Sequence, residues 1–354
     1  MSKILLTGGG TAGHATPNIA LIPFLEKDGH EILYVGTENG IERELVEAAG
    51  TRYLPISAGK LRRYFSMKNF TDIFRILKGY GQAKQIMKQE QPDVVFSKGG
   101  FVTVPVVFAA NKYKIPVVIH ESDLTPGLAN KLSLPKAAKV CVTFESTVKH
   151  ISGDCTVTGL PVRNELFNGS REKGLGFLGF DGSKPVLLII GGSLGAQAVN
   201  EAVDSALDEL LNIFDIAHIR GNGKLNPDLN NKAGYRQFEY VAEELSDLFH
   251  AADIALSRAG ANVIFELLAL AKPALLVPLP KESSRGDQVL NADFFKSKGY
   301  ADVLPQADIT PETLVDRLKA MLDDSDTYRE TMRTSDLSDG TKNVINVIYS
   351  VLDK

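Results

Sequence analysis

The sequence predicts an α/β protein made of two Rossmann-like domains whose parallel sheets face each other across a cleft. Three observations predict it. The chain has 354 residues, which at roughly 150 residues per domain suggests two. Short apolar runs alternate with helical patterns in both halves, and each half opens on a strand that runs directly into glycines and then a helix. In the front half the strands read as Lys3–Thr7, Glu31–Val35, Asp93–Ser97 and Val117–His120, with helices over Ala15–Asp28, Ile41–Ala49 and Val102–Lys112. Their Val, Ile and Leu content without polar alternation suits strands buried on both faces of a parallel sheet.

The back half repeats the pattern with strand Val186–Ile190, helix Ala196–Leu211, strands Ile216–Ile219 and Ile254–Leu256, helix Asn262–Leu270, strand Ala274–Val277 and helix Asp287–Lys298. Between the halves, Leu160–Asp181 holds Pro161, the pair Asn168-Gly169 and three further glycines, which is turn chemistry. The domains therefore read as 1–163 and 164–340. Only helical patterns follow Pro311, and the last one, Asn343–Leu352 within 341–354, is expected to cross back to the N-terminal domain.

Hydrophobic residues at 44% and charged residues at 23% predict a packed core and exclude a mostly disordered chain. No apolar run approaches the roughly 20 residues that span a bilayer, and Met1-Ser2-Lys3 meets glycines before a signal-peptide core develops, so the expectation is a cytoplasmic protein. Net charge is −4, against a general nucleic-acid binder, but it is unevenly divided. Residues up to Arg163 hold 20 basic and 14 acidic side chains, and the rest hold 19 and 29. A basic front half suits an anionic surface or ligand. Cys141 and Cys155 form no CxxC pair and read as core residues, not as a zinc or redox centre.

Two glycine loops close strands: Thr7-Gly8-Gly9-Gly10-Thr11-Ala12-Gly13-His14 and Ile190-Gly191-Gly192-Ser193-Leu194-Gly195-Ala196. Glycine admits backbone amides close to a ligand, and the helix N-terminus behind adds a positive dipole end, so both loops suit anions. Gly8 to Gly13 fits GxGxxG, but Gly13 is followed by His14-Ala15 and lacks the lysine and hydroxyl of a nucleotide-triphosphate loop. An NAD site wants an acid at the tip of the second strand, and Tyr34-Val35-Gly36-Thr37-Glu38 places it beyond a glycine. Gly191–Gly195 also fits GxSxG, with His218 or His250 as a partner, a hydrolase reading that leaves the front domain without a purpose. A third pair, Gly99-Gly100, follows Ser97-Lys98. Three such loops around one cleft suggest two anionic ligands, such as a nucleotide-linked or lipid-linked sugar.

At these residues the chain resembles the glycosyltransferases of the GT-B class, and within them the family 28 enzymes that add N-acetylglucosamine to the lipid-linked muramyl-pentapeptide precursor of peptidoglycan. The resemblance covers Gly8–Pro17, Gly99–Pro105, His120–Lys131, Gly159–Arg163, Gly191–Ala196, Arg258–Glu266 and Gln288–Ala292, in family order and spacing. It implies that the back domain binds UDP-N-acetylglucosamine. Ser193 and Arg163 would contact the diphosphate, Val241 would meet uracil through its backbone, and Glu266 would take the ribose hydroxyls. The residues Ala261, Asn262, Val263, Ile264 and Phe265 would open a helix toward phosphate, and Gln288 and Asn291 would recognise sugar hydroxyls.

The front domain would take the undecaprenyl-diphosphate-linked acceptor, with Thr11, Ala12, Gly13, Gly99, Gly100 and Phe101 around its diphosphate or sugar and Asp123 and Asn130 beside the sugar. His14 is the expected general base, since imidazole titrates near neutrality; it could instead only cap its helix or bond phosphate. Glu121 is the second candidate. His30, His150, His218 and His250 read as structural or surface residues. The implied reaction inverts the anomeric carbon and needs no cofactor. No metal is expected either, because the DxD at Asp324-Ser325-Asp326 reads as helix capping.

The chain departs from the commonest family pattern at Ser122-Asp123, where many members carry Gln-Asn, at Leu160, where many carry Asn, and in Ser284-Arg285-Gly286-Asp287-Gln288. Between Arg52 and Lys88 nine basic residues and one acidic residue interleave with Leu61, Tyr64, Phe65, Met67, Phe70, Ile73, Phe74, Ile76 and Leu77. That mix suits peripheral binding to an anionic, cytoplasmic membrane face, although an apolar stripe facing the core with solvated lysines has the same pattern. Such an enzyme would serve cell-wall biogenesis, cell shape and division, with other cell-wall synthesis proteins as partners. The competing readings are another UDP-sugar transferase, a UDP-N-acetylglucosamine epimerase and a non-catalytic nucleotide-sugar-binding protein.

Overall fold

The computed structural model describes residues 1–59, 68–191, 196–230, 232–283 and 286–352. The chain divides into two compact units, Met1–Arg163 with Asp339–Lys354, and Asn164–Ser338. The first contains β1 (Lys3–Thr7), α1 (Ala12–Lys27), β2 (Glu31–Thr37), α2 (Ile41–Ala48), β3 (Arg52–Ile56), α3 (Lys68–Glu90), β4 (Val94–Ser97), α4 (Thr103–Lys112), β5 (Val117–Glu121), α5 (Leu128–Ser133), β6 (Lys139–Val142) and β7 (Cys155–Val157). Its seven strands lie in the order β3-β2-β1-β4-β5-β6-β7, all parallel.

The period-2 geometry of a strand explains why these apolar runs carry no polar alternation. Ile4 and Leu6 of β1 point to one face, where they pack with Tyr34, Phe96 and the α1 residues Leu21 and Leu25. Leu5 points to the other, against Val95, Ile119, Met87 of α3 and Val106 of α4. Both faces of the sheet are thus core.

The second unit contains α6 (Arg171–Leu178), β8 (Val186–Ile190), α7 (Gln197–Leu211), β9 (Asp215–Ile219), β10 (Tyr235–Phe238), α8 (Leu245–Ala251), β11 (Ile254–Ser257), α9 (Ala261–Ala269), β12 (Ala274–Leu276), α10 (Asp287–Ser297), β13 (Ala301–Val303), α11 (Pro311–Asp323) and α12 (Ser325–Arg333). Its sheet runs β10-β9-β8-β11-β12-β13, again parallel. The last helix, α13 (Gly340–Leu352), belongs to the first unit. Val344, Ile345 and Ile348 join its core, and Thr341 exchanges hydrogen bonds with the backbone of Val162 at 3.0 and 3.1 Å.

Several expectations need correction. The stretch Leu160–Asp181 is not all turn, because α6 lies inside it, capped by the Ser170 hydroxyl and closed by left-handed Gly179. Gly174 reads as a breaker in sequence but serves close approach, since a Cβ there would overlap the backbone of Asp247 in α8. Helix α1 begins at Ala12, three residues before the apolar pattern, which puts His14 in its first turn. The strands β3, β6, β7, β10 and β13 and the helices α5 and α8 are absent from the sequence pattern. Strands β3 and β10 are sheet edges, where Pro55 and the polar Arg236 and Gln237 are tolerated. Asp324 stands at the N-cap of α12, but its side chain makes no capping bond, and Asp326 pairs with Arg329 at 2.6 Å.

Replacing Ile348 by Ala should remove about 2–5 kcal/mol of stability despite its place near the chain end, read as a lower urea midpoint by circular dichroism. An unchanged midpoint would mean that α13 contributes nothing to the core.

Candidate functional site

In an open parallel sheet the strand order reverses at a switch point, and loops beyond the strand C-termini part there to admit ligands. In the first unit that point lies between β1 and β4, paired Thr7 to Ser97, and the loops that leave it are Gly8–Thr11 and Lys98–Val102. They are braced on each other. Gly9 N–H donates to Gly99 O at 3.4 Å, Gly99 and Gly100 hold φ of 98° and 92°, and a Cβ on Gly100 would overlap the Gly9 carbonyl oxygen.

Two residues outside the predicted site complete the brace. The Tyr34 hydroxyl donates to Gly8 O at 2.9 Å, and the buried Glu42 carboxylate accepts Gly10 N–H at 3.2 Å as well as the amide and hydroxyl of Thr37 at 3.1 and 2.6 Å. The amides of Gly9 and Gly10 are therefore consumed inside the protein. The groups left by helix geometry are the first-turn N–H groups of α1, at residues 11–13, with Thr11 and Gly13 exposed at the surface.

His14 projects from that turn, half-buried. Its Nδ1 lies 3.2 Å from Gly9 O and 3.1 Å from the Thr11 hydroxyl. A carbonyl oxygen only accepts, so Nδ1 carries the proton and the Nε2 lone pair is available. Burial, and then the Lys98 ammonium, hold the imidazole down at about 4, neutral at physiological pH. Glu121, at the end of β5, is in a different situation. Its Oε1 accepts Asp123 N–H at 2.9 Å, and its Oε2 accepts Gly127 N–H at 3.0 Å and the Asn130 amide at 2.8 Å. Glu121 is 3% exposed, an anchor for the β5–α5 turn with both oxygens engaged. Asn130 is likewise a buried brace, and its Oδ1 has no partner among the described residues. His120 donates from Nε2 to Gly159 O at 2.9 Å and is held well below its ordinary range by burial and Lys98.

The second unit repeats the topology with its switch point between β8 and β11, where the Ser257 hydroxyl donates to Ile190 O at 3.0 Å. Ser193 and its loop neighbours, residues 192–195, lie outside the described residues. Behind β11, Arg258 donates to Val277 O at 3.0 Å, which ties β11 to the end of β12. Helix α9 starts at Ala261 after Gly260. Its open amides are those of Ala261, Asn262 and Val263, because Ile264 N–H already donates to Gly260 O at 3.2 Å and Phe265 stands one position further into the ladder. The Ile264 and Phe265 side chains are core, with Phe265 edge-on to Phe295 at 5.4 Å.

Glu266 and Val241 are buried, and Tyr240 beside Val241 is exposed. The Gln288 Oε1 accepts Leu279 N–H at 3.0 Å. Asn291 spends its NH₂ group on Ala259 O at 3.0 Å, which makes it a brace of the β11–α9 loop. Arg163 is the last residue of the first unit before the chain enters the second. His218 has both nitrogens taken, by the Tyr235 hydroxyl at 2.9 Å and Asn200 at 3.0 Å, and is unsuited to activating a serine.

Two doubly wound parallel units in one chain, each with glycine-bearing loops at its switch point, are the architecture of the GT-B fold class. Residues 4–142 match the glycosyltransferase family 28 N-terminal domain and residues 186–347 its C-terminal domain, and the chain belongs to that family. The UDP-N-acetylglucosamine–N-acetylmuramyl-(pentapeptide) pyrophosphoryl-undecaprenol N-acetylglucosamine transferase of Clostridium botulinum (strain Langeland) is 56% identical over 98% of this chain and 99% of its own. The protein of the same name from Clostridium kluyveri is 58% identical with the same coverage. The crystal structure of Acinetobacter baumannii MurG matches with a TM-score of 0.77 at 26% identity, over 99% of this chain and 100% of that one.

Changing Gly100 to Ala should lower stability by about 1–3 kcal/mol, because the new Cβ meets backbone, whereas Gly10 to Ala, with φ of 88° but open space around it, should cost about 1 kcal/mol. Thermal unfolding of the two variants measures the difference; equal losses would mean that the loops do not bear on each other.

Proposed function

We propose that this chain transfers N-acetylglucosamine from UDP-N-acetylglucosamine to the undecaprenyl-diphosphate-linked N-acetylmuramyl-pentapeptide. The observation that carries the reading is the identity of 56% over 98% of the chain with transferases named for that reaction. The second unit takes the donor. The amides of Ala261, Asn262 and Val263 meet its diphosphate, the Glu266 carboxylate accepts from the ribose diol, the Val241 backbone meets uracil, and Gln288 offers its NH₂ group to the sugar. The first unit takes the acceptor at the N-termini of α1 and α4, with Thr11–Gly13 and Gly99–Phe101 around its diphosphate or sugar.

The acceptor hydroxyl attacks the anomeric carbon. A carbon–oxygen bond to the acceptor forms, the bond to the diphosphate oxygen breaks, UDP leaves with the electron pair, and the carbon is inverted. His14 Nε2 receives the hydroxyl proton. An anionic diphosphate bound at the α1 turn favours imidazolium, so the base strengthens as the acceptor arrives. Helix amides and arginine stabilise the charge that develops on UDP, without a metal. The engaged carboxylate of Glu121 supports the choice of His14 as base.

Among the described residues no helix is long and apolar enough to cross a membrane. On α3, Phe74 and Leu77 are 72% and 61% exposed beside Arg75 and Lys78, and α4 and α5 add exposed Phe108, Lys112, Lys131 and Leu132. Among the described side chains of α3, Ala83 and Met87 are buried in the core. Leu61, Tyr64, Phe65 and Met67 lie outside the described residues. This surface supports peripheral attachment to the cytoplasmic, anionic leaflet that carries the acceptor, since apolar side chains enter the interface and cations meet its charge.

Purified protein, radiolabelled donor and a short-chain lipid acceptor should give labelled lipid with EDTA present, and donor without acceptor should stay unconverted; an epimerase would convert it. His14→Ala should cut turnover by about 10²–10⁴-fold while UDP binding by calorimetry is unchanged. Because neutral His14 is the base, the acid limb of wild-type kcat/KM should lie near pH 4, and an acid limb near 6.5 would assign the base elsewhere. Phe74→Ser with Leu77→Ser should weaken salt-sensitive co-sedimentation with anionic vesicles, and an unchanged bound fraction would remove α3 from the contact.

A further inference from the structure

One charged group beside the first unit's loops is buried and takes no part in the reaction above. Lys98 follows β4, is 1% exposed, and is held from its backbone by an N–H bond to Thr7 O of 2.9 Å. Its Cβ lies against Gly8. The ammonium donates to the Ser122 hydroxyl and feels the carboxylates of Glu121 and Asp123. The other titratable groups that face it are His14 of α1, His120 of β5 and Cys141 of β6. The two imidazoles are neutral near pH 7, so Glu121 and Asp123 are its counter-charges.

A buried ammonium is tolerated only when hydrogen-bonded and neutralised. The hydroxyl of Ser122 and the carboxylate of Asp123 meet both needs. The turn that carries Ser122 and Asp123 is the one Glu121 anchors through Asp123 N–H and Gly127 N–H, and Asp123 in turn accepts at its carbonyl from the Thr147 hydroxyl at 3.2 Å. We propose that Lys98 is a positioning residue for the acceptor, its ammonium and the Ser122-Asp123 pair forming one charge-compensated unit that holds the β5–α5 turn beneath the glycine loops. The inference rests on the first unit being the acceptor site. Without the ammonium the Glu121 and Asp123 carboxylates would lose a positive charge that both share, so the turn would shift and an anionic acceptor be repelled.

The test is a double-mutant cycle with the labelled-lipid assay, UDP calorimetry and a pH series. Lys98→Met should lower acceptor kcat/KM on the order of 10²-fold with UDP affinity intact, and Lys98→Met with Asp123→Asn should recover at least about tenfold of that loss, a coupling that independent sites lack. Burial pushes Lys98 down to about 8, so wild-type acceptor KM should climb as pH passes that value. Asp123→Asn alone, which keeps the buried lysine, should move that limb to lower pH because one counter-charge is gone; this arm stands even if Lys98→Met does not fold. Acceptor kinetics of Lys98→Met within about threefold of wild type, no recovery in the double variant, or an unmoved limb in Asp123→Asn would overturn the proposal. Wild-type labelling of the lipid in the same assay reports on the transferase reading separately.

Discussion

The contact between two glycine loops at the β1/β4 switch point governs the first unit. Gly9 can donate to Gly99 O only because neither Gly9 nor Gly100 carries a Cβ, and the positive φ at Gly99 and Gly100 turns the second loop toward the first. Everything above the sheet depends on that approach. It fixes the Gly9 backbone, whose carbonyl accepts from His14 Nδ1. A loop with side chains at these positions would stand away from its neighbour, and the imidazole would lose the carbonyl that selects its tautomer.

The brace also redistributes charge. Glu42 takes the Gly10 amide that a ligand would otherwise find, so the anion-binding capacity of the loop passes to the first turn of α1, where the dipole end is concentrated. A carboxylate there would work against an anionic ligand if it stood alone. Lys98 lies against the same loop at Gly8, but its ammonium turns away to Ser122 and the carboxylates of Glu121 and Asp123. The neutral His14 results from the same arrangement, since burial and the Lys98 field both oppose its protonation.

Much of this was legible in the sequence because glycine spacing and unbroken apolar runs are local signals. The central strands β1, β4, β5, β8 and β11 announce themselves, and the loops that follow them are the predicted ones. The edges were not legible. Strand β3 carries Pro55, β10 is mostly polar, and β13 has three residues, so their pairing is decided by the neighbouring strand and not by their own composition. Gly174 misleads in the same way, since a close helix contact and a turn both call for glycine. Within the site, the residue types of the loops were readable, but the partners Tyr34 and Glu42 come from β2 and α2 and meet the loop only in three dimensions. Asn130, Glu121 and Asn291 show the converse, polar residues at expected positions whose hydrogen-bonding capacity is largely spent on holding loops.

The uneven charge of the chain follows the same division. The final sixteen residues, which fold into the first unit, carry two charges of each sign and leave its positive balance unaltered, so the acidic excess lies wholly in the second unit. An anionic leaflet attracts the first and repels the second. On the proposed function this is a consistent assignment: the unit whose ligand is held in lipid carries the net positive charge and the exposed Phe74 and Leu77, while the unit whose ligand is a soluble nucleotide is net acidic and meets phosphate through helix amides. A dense cationic field on the donor side would hold UDP as firmly as its sugar ester and slow product release. Backbone amides, which present partial charges at fixed positions, stabilise the leaving diphosphate with less of that cost.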